Sequence, residues 1–83
     1  MATPRQRLLS DVITIAFQEK TVSRDSVKRI MNNCGEASRN AGQAEGTYWA
    51  NMSSRTEARF VDEVLTRLDN DDIPDYSDWA RGE

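Results

Sequence analysis

Cys34 is the only thiol in this 83-residue chain, and the chain contains no histidine. Those two facts set the limits of its side-chain chemistry. Histidine is the side chain whose ordinary pKa suits proton transfer near neutral pH. Without it, a nucleophile at Cys34 would lack the usual activating base. Cys34 also falls in register with Val27, Ile30 and Ala37, the spacing of a buried helical seam, where cysteine behaves as a small inert apolar residue. One cysteine forms no internal disulfide, and without histidine a zinc site has almost no ligands to draw on. No catalytic residue, metal site or cofactor is expected.

Acid pairs at Asp62/Glu63 and Asp71/Asp72 have the oxygen ligands that hard cations prefer. Asp69, Asp71 and Asp75 vaguely suggest a calcium loop. They lack its central glycine and terminal bidentate Glu, and Pro74 interrupts them, so a solvated acidic tail is the simpler reading. Gly35, Gly42 and Gly46 are followed by no GK[ST] sequence and preceded by no strand, which removes a phosphate-binding loop.

Two side-chain sets remain as binding candidates. The first is acidic and aromatic: Asp71, Asp72, Asp75, Tyr76, Asp78 and Trp79 in the C-terminal segment, with Tyr48 and Trp49. Aromatics ringed by polar groups are frequent anchors of protein interfaces. The competing reading has Ile73, Tyr76 and Trp79, three apart, covering the open side of a small core. The second set is cationic. Arg24, Lys28, Arg29 and Arg39 lie along one expected helix, with Arg5, Arg7 and Lys20 nearby if the helices pack antiparallel, and could hold a nucleotide-like or other anion. The bland alternative is an ordinary solvated helix face.

The elements that must position these groups are helical. Thr3, Pro4 and Gln6 form a capping box with proline at the first helical position. Behind it, Leu8, Leu9, Val12, Ile13, Ile15, Ala16 and Phe17 make an apolar face wider than a single stripe. Ser23 is the next N-cap, with Val22 and Val27 placed for a hydrophobic staple. Val27, Ile30, Cys34, Ala37, Ala41, Ala44 and Tyr48 then keep a three-four alternation over three heptads. The seam favours one long helix across residues 24–52, whose strip of Cys34, Gly35, Ala37, Ser38, Ala41 and Gly42 lets another helix approach closely. The rival is a helix ending at Gly35 and a polar loop over 35–47. Ser54 and Glu57 suggest a capping box for a last helix carrying Ala58, Val61, Val64, Leu65 and Leu68, with Asn70 as its C′ residue.

The expected architecture is therefore a single all-α domain over residues 1–83. It is a small three-helix bundle with helices near 4–20, 24–52 and 54–69, a long central helix, and a short acidic aromatic tail at 70–83. A homo-oligomer, dimeric or higher, through the small-residue strip or the surplus face of helix 1 would supplement a core near the lower size limit. No stretch has the unbroken apolar core of a leader or a membrane span, so a cytoplasmic location without membrane contact is expected.

Charge is unevenly placed. Residues 1–40 hold seven Lys/Arg against four Asp/Glu and residues 41–83 four against ten, net +3 and −6. With a sequence pI near 4.9, nucleic acid is a disfavoured partner. The leading functional expectation is a non-enzymatic inhibitor or adaptor whose acidic, aromatic surface occludes a basic site on a partner protein. Phage-encoded inhibitors of host enzymes or defence complexes have comparable size and charge, an analogy with no motif behind it. The alternative is an oligomer binding an anionic ligand through the basic residues of helix 2, and the third reading is a nucleic-acid-binding regulator.

Overall fold

The computed structural model describes residues 2–20 and 23–71 and contains four helices: α1 Pro4–Gln18, α2 Arg24–Asn40, α3 Ala44–Ala50 and α4 Ser54–Asp69. The all-helical class stands. The three-helix count and the long central helix do not, because the expected 24–52 element is two helices folded back on each other. None of the described helices is long and apolar enough to cross a membrane.

α1 is central. Its Leu8, Leu9, Val12, Ile13 and Ala16 are buried against Val27, Ile30 and Met31 of α2 and Phe60, Val61 and Val64 of α4. α1 touches all three other helices, and α3 lies on α1 and α2 without contacting α4. This explains the wide apolar face of α1: it has three neighbours within one chain, so most of it needs no second copy.

The break after α2 comes at Gly42, whose φ is +73°. Its N–H donates to the carbonyl of Arg39 at 3.0 Å, and that of Gln43 donates to the carbonyl of Ser38 at 2.9 Å. These are the two bonds of a Schellman stop, in which the C′ residue takes the left-handed conformation that glycine adopts without penalty. The loop reading placed the stop at Gly35, which instead lies buried in the middle of α2.

Part of the small-residue strip, Gly35 and Ser38, has a close-packing helix supplied by the same chain, whereas Ala37, Ala41 and Gly42 are exposed. A Cβ at Gly35 would stand 2.1 Å from Cγ of Trp49, and one at Gly46 would stand 2.1 Å from the backbone nitrogen of Arg39. α3 thus lies on α2 almost backbone to backbone. The Trp49 indole covers Gly35 and its N–H donates to Oδ1 of Asn32 at 3.2 Å. Ala37, Ala41 and Ala44, the middle of the expected seam, are exposed, because the chain turns before the seam can continue.

The caps follow local chemistry. Gln6 N–H donates to Thr3 Oγ1 at 3.1 Å and Thr3 N–H to Gln6 Oε1 at 2.8 Å, completing the first capping box. Ser23 caps α2 by accepting from Ser26 N–H; Val22, its expected staple, lies outside the described residues. The N-cap of α4 lies one residue earlier than expected: Ser53 accepts from Thr56 N–H, and Ser54, expected to cap with Glu57, is the first residue of the helix. At the other end Asn70 is the C-cap, and Asp71, with φ of 54°, takes the C′ position expected of Asn70. Lys20 ends α1 in the same way at φ 55°. A side chain with Cβ is strained there, so Lys20→Gly should stabilise the domain by about 0.5–1 kcal/mol. A urea titration showing a higher midpoint at unchanged slope checks this.

Candidate functional site

Six ion pairs form among the described residues, five of them between helices or their ends and one, Arg67–Glu63, within α4. Arg5 donates to Glu63 Oε1 at 2.6 Å, Arg7 reaches Glu45 at 3.8 Å, and Arg24 pairs with Asp62. Lys28 lies 3.5 Å from Glu57, Arg29 donates to Glu19 at 3.0 Å, and Arg67 sits 3.4 Å from Glu63. Most of these are solvent-exposed and contribute little stability each, but they decide where net charge is left over.

Three of the four cations of the expected anion site, Arg24, Lys28 and Arg29, therefore stand beside carboxylates. Arg39 is exposed, and its backbone forms the surface on which Gly46 packs. The four do not converge into a bare cationic pocket.

Of the acidic and aromatic set, Asp71 is exposed at the end of α4. Asp72, Asp75, Tyr76, Asp78 and Trp79 lie outside the described residues. Tyr48 and Trp49 are half-buried and pack against the core, with the Trp49 ring engaged on Gly35 of α2.

The surface next to Asp71 went unread in the sequence. The C-terminal ends of α1 and α4 border a groove of about 570 Å³ lined by Ala16, Phe17, Lys20, Leu65, Leu68, Asp69 and Asp71. Phe17 is the one large exposed hydrophobic side chain among the described residues. It closes the apolar run of α1, while Leu65 and Leu68 belong to the stripe of α4. The only signal that could have marked the groove was that α1 carries more apolar residues than a single stripe requires.

A second cluster lies between α1, α2 and α3. Glu45 is buried with Arg7 as its cationic neighbour. Burial, and then repulsion from Glu45, push the carboxyl of Asp11 above its ordinary value of 3.8. Burial, and then the charge of Asp11, push the Cys34 thiol up to about 11. At neutral pH Cys34 is thus an un-ionised, half-buried thiol packed against the core, a poor nucleophile. Among the described residues no three of Cys, Asp and Glu form a metal-ligand set.

Because the raised pKa belongs to the folded state, folded Asp11 binds more protons than unfolded Asp11 above pH 3.8. Its contribution to stability is whole below that value and falls as pH rises through the raised one. Asp11→Asn should therefore raise the thermal midpoint at neutral pH by a few degrees at most, and flatten the stability profile above pH 3.8. Thermal scans of both proteins across the acid range measure it.

Comparison with known proteins finds no family model, no curated protein and no solved structure that matches this chain.

Proposed function

We propose that this chain is a non-enzymatic protein-binding module, an inhibitor or adaptor, that uses its acidic C-terminal end to occlude a basic surface on a partner protein. The contact set is Asp69, Asp71, Asp72, Asp75 and Asp78, with Tyr76 and Trp79 in the same segment.

One observation carries the reading. The C-terminus of a helix bears partial negative charge, so acids there are unfavourable. α1 also carries charges against its dipole, Arg5 and Arg7 at its start and Glu19 at its end, but each has an oppositely charged partner within 4 Å. Asp69 and Asp71 at the end of α4 have no cation of the described residues within that range, and Asp72 follows directly. Asp69 and Asp71 thus stand without an ion-pair partner among the described residues at a helix end where negative charge weakens stability, with Lys20 in the same groove as the nearest basic residue of its lining. A charge that costs stability is well explained by a cationic partner. Trp49 is engaged on Gly35 and Tyr48 packs against the core, so neither belongs to the contact set.

The test compares the full chain with its Asp71→Asn, Asp72→Asn, Asp75→Asn, Asp78→Asn variant. Affinity capture from the source cell identifies the partner, and the purified pair is titrated at several salt concentrations. Loss of about 100-fold in affinity, shrinking as salt is added, is expected. Equal affinity for both proteins overturns the reading. Binding lost instead on replacing Arg24, Lys28 and Arg29 by Ala, with the acids dispensable, would place function on an anionic ligand.

A further inference from the structure

A domain near the lower size limit has little apolar surface to spare, yet this one leaves Phe17 52% exposed beside Leu65 and Leu68 in the α1–α4 groove. Exposed apolar surface rimmed by polar groups is the usual form of an interaction site, and the charges on this rim say which partner fits. Lys20 stands on the α1 edge, Asp69 and Asp71 on the α4 edge. None of the three has an ion-pair partner among the described residues, although all of them line one groove.

A wholly basic partner would suit Asp69 and Asp71 but would meet Lys20 with like charge, which is unfavourable across an interface. A second copy of this chain answers both signs. On the α1 edge Phe17 comes three residues before Lys20; on the α4 edge Leu65 comes four before Asp69, and Leu68 three before Asp71. Each edge therefore passes from apolar to charged within about one helical turn, and the two charges are opposite. In a two-fold pair the same patch serves both copies and must be complementary to itself. An axis running along the groove lays the α1 edge of one copy over the α4 edge of the other at the same height. Apolar residues then meet apolar residues, Lys20 meets Asp69 and Asp71, and both contacts are made twice.

We propose that the α1–α4 groove is where two copies of this chain join, with Phe17 of each copy on Leu65 and Leu68 of the other and Lys20 paired with the other's Asp69 and Asp71. The inference goes beyond the acidic-surface reading and does not rest on it. Two acids meet one lysine in each contact, so the joined grooves keep an excess of negative charge.

The full chain is followed by sedimentation velocity from micromolar to millimolar concentration, where a contact of this size should give a dimer with a Kd of about tens of micromolar. Lys20→Glu, and separately the double variant Asp69→Lys, Asp71→Lys, set like charges against each other across the pair and should each weaken self-association by about tenfold or more. An equal mixture of the two variants should associate again, because every cation in a mixed pair faces an acid. A folding defect in either variant would not be repaired by mixing. In the original chain, isotope-filtered nuclear Overhauser contacts between labelled and unlabelled copies should join the Phe17 ring to the Leu65 and Leu68 methyls. A chain that stays monomeric at millimolar concentration overturns the proposal. So does a dimer that neither variant weakens, which would place the contact elsewhere, or a mixture that does not recover. The mixture reads self-association with no other protein present, so its failure leaves the acidic-surface reading standing, and loss of that reading leaves the dimer standing.

Discussion

Gly46→Ala should cost about 3 kcal/mol or more, a large part of the ~5–15 kcal/mol that stabilises a domain of this kind. The added methyl would meet the backbone of Arg39, 2.1 Å from its nitrogen and 2.2 Å from its Cα. A side chain can rotate away from such a clash, whereas backbone inside a helix cannot. α3 must therefore lift off α2, withdrawing Trp49 from Gly35 and uncovering Ser38 and Glu45, both now buried. Alanine is otherwise the better helix former by about 1 kcal/mol, so intrinsic propensity predicts the opposite sign. Urea unfolding followed by circular dichroism decides between them. A midpoint equal to or above that of the original chain would show that α3 does not lie at this distance.

The other large effect is expected at Phe60, the largest of the fully buried side chains. It belongs to α4 and sits in the cluster with Leu8, Leu9, Val12, Ile30 and Met31. Phe60→Ala removes the transfer energy of the ring and leaves a cavity, a loss of about 3–5 kcal/mol. Phe60→Leu, which keeps much of the volume, should recover most of it. If both variants unfold near the original midpoint, α4 is not fastened through this residue.

The helix starts were legible because they depend on two or three neighbouring residues. Thr3 with Gln6, and Ser23, act within one turn, so type and spacing suffice to place α1 and α2. The core stripes of α1 and α4 were readable for the same reason. The turn at Gly42 was hidden by alanine, which fits a helical seam whether buried or exposed. Ala37, Ala41 and Ala44 kept the three-four spacing although all three are exposed, while Gly35, Ser38 and Glu45 are buried. The Gly42 stop depends on a φ of +73° and on bonds back to Arg39 and Ser38, and a glycine in a row of several glycines does not announce which of them turns the chain. The groove and the Asp11, Cys34 and Glu45 cluster are invisible in one dimension, because they exist only once α1 is set beside α4 and α3. Of the small-residue strip, Gly35 and Ser38 do lie under a closely packed helix while Ala37, Ala41 and Gly42 are exposed, and nothing local distinguishes a helix that starts four residues after α2 from one on a second copy.

The back-folding at Gly42 also divides the topology by sequence distance. Arg39 meets Gly46, and Asn32 meets Trp49 across 17 positions, whereas Arg5 meets Glu63 across 58. The entropy of closing a loop grows with its length, so the α2–α3 hairpin forms at small cost within a few turns of chain. Bringing α4 onto α1 encloses nearly the whole described sequence. In kinetic terms the molecule is a local clasp inside a long-range closure, and the crossing of α1 with α4 is the step that should govern its folding rate.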